Sequence, residues 1–165
     1  LYEDDQKKKD FVKETLLDTD LEILIPDTYV NKVEERLRLY QALDSLESPS
    51  QLDEFEKELT DRFGPAPDEV YELLNSVRLR WLGKEIGFDK LVLKQDRLIG
   101  YFLSDQNSPY FQSEKFGKVL EFLRDTPKAQ MKERNNKLYL SFADVETVDQ
   151  ALRLLQPILE KEIAE

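Results

Sequence analysis

Apolar residues recur at helical spacing in the first half of the chain, and this pattern predicts helices after one short strand. Residues 21–25 are a compact apolar run that Pro26 stops, which is typical of a strand. The first helix is expected over residues 28–46, with Asp27 as its N-cap. Its predicted apolar stripe consists of Val30, Val33, Leu37, Tyr40 and Leu43.

Two further helices have clear start and stop signals. Ser48, Pro49 and Gln51 form a capping box with a proline at the first helical position, so the second helix should begin there. Its expected buried residues are Leu52, Phe55, Leu59 and Phe63. Gly64 suits the turn that ends it. The third helix should run from Pro67 to Gly87, burying Val70, Leu73, Leu74, Val77, Trp81 and Leu82.

The periodicity changes in the second half, where two hairpins and two helices are predicted. Residues 91–93 and 98–103 flank a turn at 95–97, and residues 129–133 and 138–142 flank Asn135-Asn136. Ser108-Pro109 should open one helix and Asp144 should cap the last, which Pro157 should kink. The fold class is therefore α+β: an N-terminal helical cluster packed with a small antiparallel sheet of two hairpins and two further helices. We expect residues 1–19 to be a linker arm and 20–165 to be one domain.

Composition removes most catalytic chemistry from consideration. The 165 residues contain no cysteine and no histidine, so disulfides, thiolate catalysis, cysteine-ligated zinc and a histidine general base are excluded. No glycine-rich phosphate loop and no long apolar run occurs. We therefore expect a soluble domain that is not an enzyme, with no catalytic residue, no cofactor and no metal.

Charge is distributed unevenly along the chain, whose formal net charge is −11. Residues 44–72 contain ten acidic and two basic side chains, whereas residues 76–100 contain six basic and three acidic ones. An acidic chain is repelled by phosphate backbones, which makes nucleic acid a poor default partner. The alternative stays open that the later basic residues form a local nucleic-acid patch: Arg78, Arg80, Lys84, Lys90, Lys94 and Arg97.

One segment and its upstream markers resemble a known family. Residues 58–67 read ELTDRFGPAP, and they follow Ile25-Pro26, Tyr29-Val30, Arg36-Leu37 and Tyr40 in order. Together these residues resemble the C-terminal domain of bacterial transcription-repair coupling factors (TRCF, or Mfd), although Val30 stands where that family usually has Ile. The resemblance is close over residues 21–87 and limited to element order up to about residue 159.

The resemblance implies a role within a longer, cytoplasmic protein. Coupling factors of this family recognise stalled RNA polymerase, translocate on double-stranded DNA by ATP hydrolysis and recruit the repair protein UvrA. Their C-terminal domain packs against the N-terminal UvrA-binding module of the same parent chain and represses the protein. The resemblance therefore implies a monomeric autoinhibitory docking domain without a membrane segment. An accessory nucleic-acid-contacting domain of a DNA translocase is the alternative.

Glu58, Asp61 and Arg62 are the candidate interdomain contacts. Their spacings of three and four residues place all three side chains on one helix face, away from Leu59 and Phe63. Such a charged cluster suits a reversible interface. The residues alone leave two alternatives open, which are an intrahelical pair between Glu58 and Arg62 and a bracing role at the Gly64 turn.

Overall fold

The computed structural model describes residues 11–160 of the chain. The helices are α1 (Val33–Asp44), α2 (Pro49–Phe63), α3 (Asp68–Ile86), α4 (Glu114–Asp125), α5 (Val148–Leu155) and the short α6 (Pro157–Glu160). The strands are β1 (Leu16–Thr19), β2 (Phe88–Lys94), β3 (Arg97–Phe102), β4 (Gln130–Arg134) and β5 (Lys137–Ala143), and a 3-10 turn occupies Pro109–Gln112. The predicted α+β class is confirmed.

The chain divides into two compact units, and the division falls inside α3, after Arg78. The helical unit comprises Glu22–Arg78. The sheet unit contains the remaining described residues, 11–21 and 79–160.

The sheet is mixed, with the strand order β1-β2-β3-β5-β4. The two predicted hairpins, β2-β3 and β4-β5, are present and meet through β3 and β5, which are antiparallel. Two-residue turns close both hairpins, because Gln95 and Asp96 have φ of 52° and 59°, and Asn135 and Asn136 have φ of 54° and 63°. Such left-handed pairs are typical of tight hairpin turns. Arg97, which was expected in the first turn, already belongs to β3.

A fifth strand corrects the prediction of a purely antiparallel sheet. Leu16–Thr19 pairs in parallel with β2, whereas the predicted strand at 21–25 is not formed. The buried Thr15 hydroxyl donates a hydrogen bond to the Phe88 carbonyl at 2.7 Å, and Val12 is buried. The part of the predicted linker arm from residue 11 onward is therefore integral to the sheet unit, and its first ten residues lie outside the described range.

The start of α1 also differs from the prediction. The backbone amides of Tyr29 and Val30 both donate to the Pro26 carbonyl and form a separate turn, so that α1 begins only at Val33. Lys32 is the N-cap in place of Asp27 and provides no side-chain capping bond. The predicted stripe is only partly buried, because Val33 and Leu37 are 59% and 55% exposed while Leu43 is 4% exposed.

The other helix ends follow their local signals more closely. Ser48 accepts the Gln51 amide and the Gln51 side chain accepts the Glu47 amide, which confirms the capping prediction with a shift of one residue. Thr147 caps α5 in place of Asp144, whose φ is 60°. The helix stops at Leu155 before Pro157, which starts α6.

Aromatic rings fill the core of the sheet unit. Phe88 and Phe102 lie 4.8 Å apart between centroids, and Phe116 of α4 meets Phe102 edge-on at 5.7 Å. The buried Tyr110 hydroxyl donates to the Ile86 carbonyl at 2.7 Å. Trp81, which was predicted to be buried, is only partly so, whereas Leu79 and Ile86, which lie outside the predicted stripe, are 0% exposed.

Gly87→Ala should destabilise the chain by about 3 kcal/mol through backbone strain and overpacking. Gly87 has a φ of +119°, and an added Cβ would lie 2.2 Å from the Tyr110 ring. Gly117→Ala is the matched control, since no atom lies within 4 Å of its added Cβ. It should leave the free energy of unfolding unchanged or raise it by at most about 1 kcal/mol. Urea unfolding of both variants measures the difference. Equal midpoints would show that the Tyr110 ring moves aside at little cost in free energy.

Deleting residues 1–19 should lower the free energy of unfolding by about 3 kcal/mol, or roughly 10 °C in Tm. The deletion removes the β1 ladder together with the buried Val12 and Thr15. Leu16→Ala is the control within the same strand, because Leu16 is 61% exposed. Thermal unfolding compares the two variants. If the truncated chain melts within a few degrees of the intact one, β1 contributes little.

Candidate functional site

The predicted site residues lie in the last two turns of α2. Glu58, Asp61 and Arg62 are all exposed, whereas Leu59 between them is 2% exposed. This alternation confirms that the charged side chains point away from the core of the helical unit. Whether they contact another domain stays a prediction.

Arg62 pairs with a residue that the sequence did not indicate. One guanidinium nitrogen, Nη2, donates to Oε2 of Glu35 on α1 at 2.7 Å. The guanidinium also lies 4.7 Å from the centre of the Phe63 ring. Arg62 thus braces α1 against α2 instead of forming the intrahelical pair with Glu58 that was considered. The pair is solvent-accessible, because the Arg62 and Glu35 side chains are 59% and 31% exposed.

A small cleft adjoins this pair. Its volume is about 40 Å³, and Glu58 and Arg62 line it together with Leu39, Phe55 and Phe63. Asp61 lies outside this lining, one helix position before Arg62. The structure therefore brings two of the three candidate residues to one depression and leaves Asp61 on the neighbouring surface. Larger concavities, of about 420 and 600 Å³, border α5 in the sheet unit.

A hydrogen bond from Tyr29 holds the turn that follows α2. Gly64 has a φ of +89°, and its carbonyl accepts the Tyr29 hydroxyl at 2.7 Å. The Tyr29 and Phe63 rings lie 5.8 Å apart. Burial raises the pKa of the Tyr29 phenol, and the neighbouring Tyr71 adds to the rise, so the hydroxyl remains a donor at neutral pH. The position of the last α2 turn thus depends on a residue far upstream.

The other markers of the family resemblance also make internal bonds. The backbone amide of Ile25 donates to the Tyr40 hydroxyl at 2.7 Å. The Arg36 guanidinium donates to the carbonyls of Val30 and Asn31 at 2.7 and 3.1 Å. These markers stabilise the helical unit itself.

Of the six basic residues proposed for a nucleic-acid patch, Arg78 belongs to the helical unit and the other five belong to the sheet unit. Arg78 donates to the carboxylates of Asp53 and Glu56, both at 3.2 Å, and so braces α3 against α2. Lys90, Lys94 and Arg97 instead lie exposed on the strands of the sheet unit.

Two absences hold for residues 11–160. No three His, Cys, Asp or Glu side chains in this range are grouped so that they could hold a metal ion. None of its helices is long and apolar enough to cross a membrane.

The fold matches that of a coupling-factor domain. A solved structure described as the crystal structure of the C-terminal domain of transcription-repair coupling factor superposes with a TM-score of 0.74 at 21% identity. The match covers 92% of this chain and 96% of that chain. The architecture is therefore that of the C-terminal α+β domain of such a factor.

The chain belongs to the TRCF domain family, whose model matches residues 19–113. Among curated relatives, the transcription-repair-coupling factor of Rickettsia typhi is 26% identical over 142 residues, which are 85% of this chain and 12% of that protein. The Escherichia coli factor is 38% identical over 68 residues, 41% of this chain and 6% of the relative. This chain therefore spans about an eighth, or less, of the length of these relatives.

Tyr29→Phe should reduce the free energy of unfolding by about 1–2 kcal/mol, since it removes the donor to Gly64 and leaves the ring in place. Tyr71→Phe is the control, because Tyr71 is 41% exposed, and it should stay within about 0.5 kcal/mol of wild type. Chemical denaturation measures both. Equal stability of the two variants would show that water replaces the Tyr29 bond without loss.

Proposed function

We propose that this chain is a non-catalytic autoinhibitory docking domain of a transcription-repair coupling factor. In the parent protein it packs against the N-terminal UvrA-binding module of the same chain. That contact restrains the ATP-driven motor and UvrA recruitment until stalled RNA polymerase is engaged. The observation that carries the proposal is the exposure of Glu58, Asp61 and Arg62 together at the braced end of α2.

The chemistry of these side chains suits a contact that must open. Charged groups at an interface set specificity and association rate more than raw affinity, which favours reversible docking. The helix end that carries them is fixed by the Tyr29–Gly64 hydrogen bond, so that little ordering of the backbone is needed on binding.

The exposed ion pair between Arg62 and Glu35 allows Arg62 to exchange one carboxylate partner for another. Exposed ion pairs contribute about 0–1 kcal/mol, so a carboxylate on the partner module can replace Glu35 at small cost. Glu58 and Asp61 are then available for basic residues of the partner. The proposal assigns ATP hydrolysis and DNA translocation to other domains of a cytoplasmic parent protein.

Replacing Glu58, Asp61 and Arg62 together by Ala should release the repression. In the full-length parent, ATPase activity and UvrA binding without polymerase should rise by roughly tenfold, because the closed state loses interfacial charge pairs. The isolated chain should lose no more than about 1 kcal/mol, since the ion pair that the change removes, Arg62–Glu35, is exposed. Steady-state ATPase assays and UvrA pull-down measure the release.

A matched control changes the same charges elsewhere. Glu146, Asp149 and Arg153 also comprise two acids and one base, and they lie in the sheet unit, where Asp149 and Arg153 form an i,i+4 pair at 3.0 Å. Their triple replacement by Ala should leave the parent repressed. If the α2 triple variant folds and stays as repressed as wild type, the docking surface lies elsewhere.

A further inference from the structure

Within residues 11–160, one face of the sheet is much less buried than the other. On the opposite face, Leu91, Leu98 and Phe102 are 0–1% exposed, and the Phe102 ring contacts Phe116 of α4. The alternate positions of β2 to β5 are exposed or only partly buried, except for Ser141, which is 3% exposed and accepts a hydrogen bond from Arg97 at 2.9 Å. We call this second surface the open sheet face; its uncharged centre consists of Val92, Ile99, Tyr101 and Tyr139.

Two tyrosines lie side by side at that centre. Tyr101 of β3 is directly opposite Tyr139 of β5, with ring centroids 5.5 Å apart at 48°. Val92 and Ile99, also opposite each other, extend the apolar area toward the β2 edge. A concavity of about 510 Å³ opens over these residues. Partly exposed aromatic rings in this arrangement offer π faces to a planar ligand.

Basic side chains surround the tyrosines although the chain as a whole carries a net charge of −11. Six exposed basic residues occupy the alternate positions of the strands: Lys90, Lys94, Arg97, Lys132, Arg134 and Lys137. The Lys137 ammonium lies 6.0 Å from the centre of the Tyr101 ring. Lys90, Arg134 and Lys137 line the concavity itself.

Few acidic side chains oppose these basic groups. Asp18 of β1 pairs with Lys94 at 3.0 Å. Asp89 lies near Lys137 and Lys90; burial raises the pKa of its carboxyl, and these two cations offset the rise in part. The six basic side chains still outnumber these two carboxyl groups. The open sheet face therefore combines local positive charge with stacking surfaces, which is the chemistry that recognises phosphates joined to planar rings.

We infer that the open sheet face binds single-stranded nucleic acid, with Tyr101 and Tyr139 stacking on unpaired nucleobases and the surrounding lysine and arginine side chains contacting phosphates. A single strand fits better than a duplex, because paired nucleobases are stacked on each other and cannot reach the two rings. A sheet with exposed aromatic side chains is a recurrent platform for such strands. The inference is independent of the docking proposal, because its residues lie in the sheet unit and the docking residues in the helical unit.

The test measures fluorescence anisotropy of labelled twelve-nucleotide oligo-dT and oligo-U with the 165-residue chain at low salt. Binding should weaken steeply as salt rises, and a duplex of the same length should bind more weakly. Tyr101→Ala and Tyr139→Ala should each reduce affinity roughly tenfold, whereas the corresponding Phe variants should retain it. The ratio between oligo-dT and oligo-U identifies the type of strand preferred.

Charge variants keep the test decisive if an alanine variant fails to fold. Lys137→Glu, at an exposed position, should reduce affinity roughly tenfold. Lys57→Glu is the matched control on α2 and should not alter affinity, nor should the triple replacement of the docking residues.

Three results would overturn the inference. They are no binding of either oligonucleotide at low salt, duplex binding as tight as single-strand binding with no effect of the tyrosine variants, and polyglutamate binding in preference to both strands. The last would identify an acidic protein surface as the partner instead.

Discussion

The hydrogen bond from the Tyr29 hydroxyl to the Gly64 carbonyl is the contact on which the arrangement of the helical unit depends. Gly64 leaves α2 with a positive φ, a conformation that side-chain-bearing residues rarely adopt. Tyr29 fixes that turn from 35 residues upstream, and its ring packs beside Phe63. Because the end of α2 is held in this way, Arg62 can reach Glu35 on α1, and the candidate docking residues occupy a defined surface.

The residues that indicate the family are thus mostly structural. Ile25 and Tyr40 bond to each other, Arg36 holds the turn before α1, and Tyr29 meets Gly64. The resemblance therefore identifies the fold of the domain reliably, as the match to a coupling-factor C-terminal domain confirms. It says less about an interface, because a residue that stabilises the fold is not thereby a contact. The proposed docking role rests instead on the exposure and charge of Glu58, Asp61 and Arg62.

The sequence predicted those features that local chemistry decides. Ser48 with Gln51, Gly64 and the Asn135-Asn136 turn each contain their own signal, and the structure confirms all three. It did not predict β1, because Leu16 pairs with Lys90, far along the chain, and the more apolar residues 21–25 gave the stronger local pattern. The pairing of Arg62 with Glu35 was missed for the same reason. Val33 and Leu37 matched a helical stripe, but periodicity cannot show whether a partner helix covers it.

The acidic and basic segments of the chain fall largely in different units of the fold. The acidic residues 44–72 belong to the helical unit, where Arg78 is already engaged by Asp53 and Glu56. The basic strand residues belong to the sheet unit and are concentrated around Tyr101 and Tyr139. At physiological salt, electrostatic interactions are screened beyond about 8 Å, so a ligand at a surface responds to the local charges more than to the net charge. A chain with a net charge of −11 can therefore present a surface that binds anions. Its overall acidity disfavours anion binding only at its other surfaces.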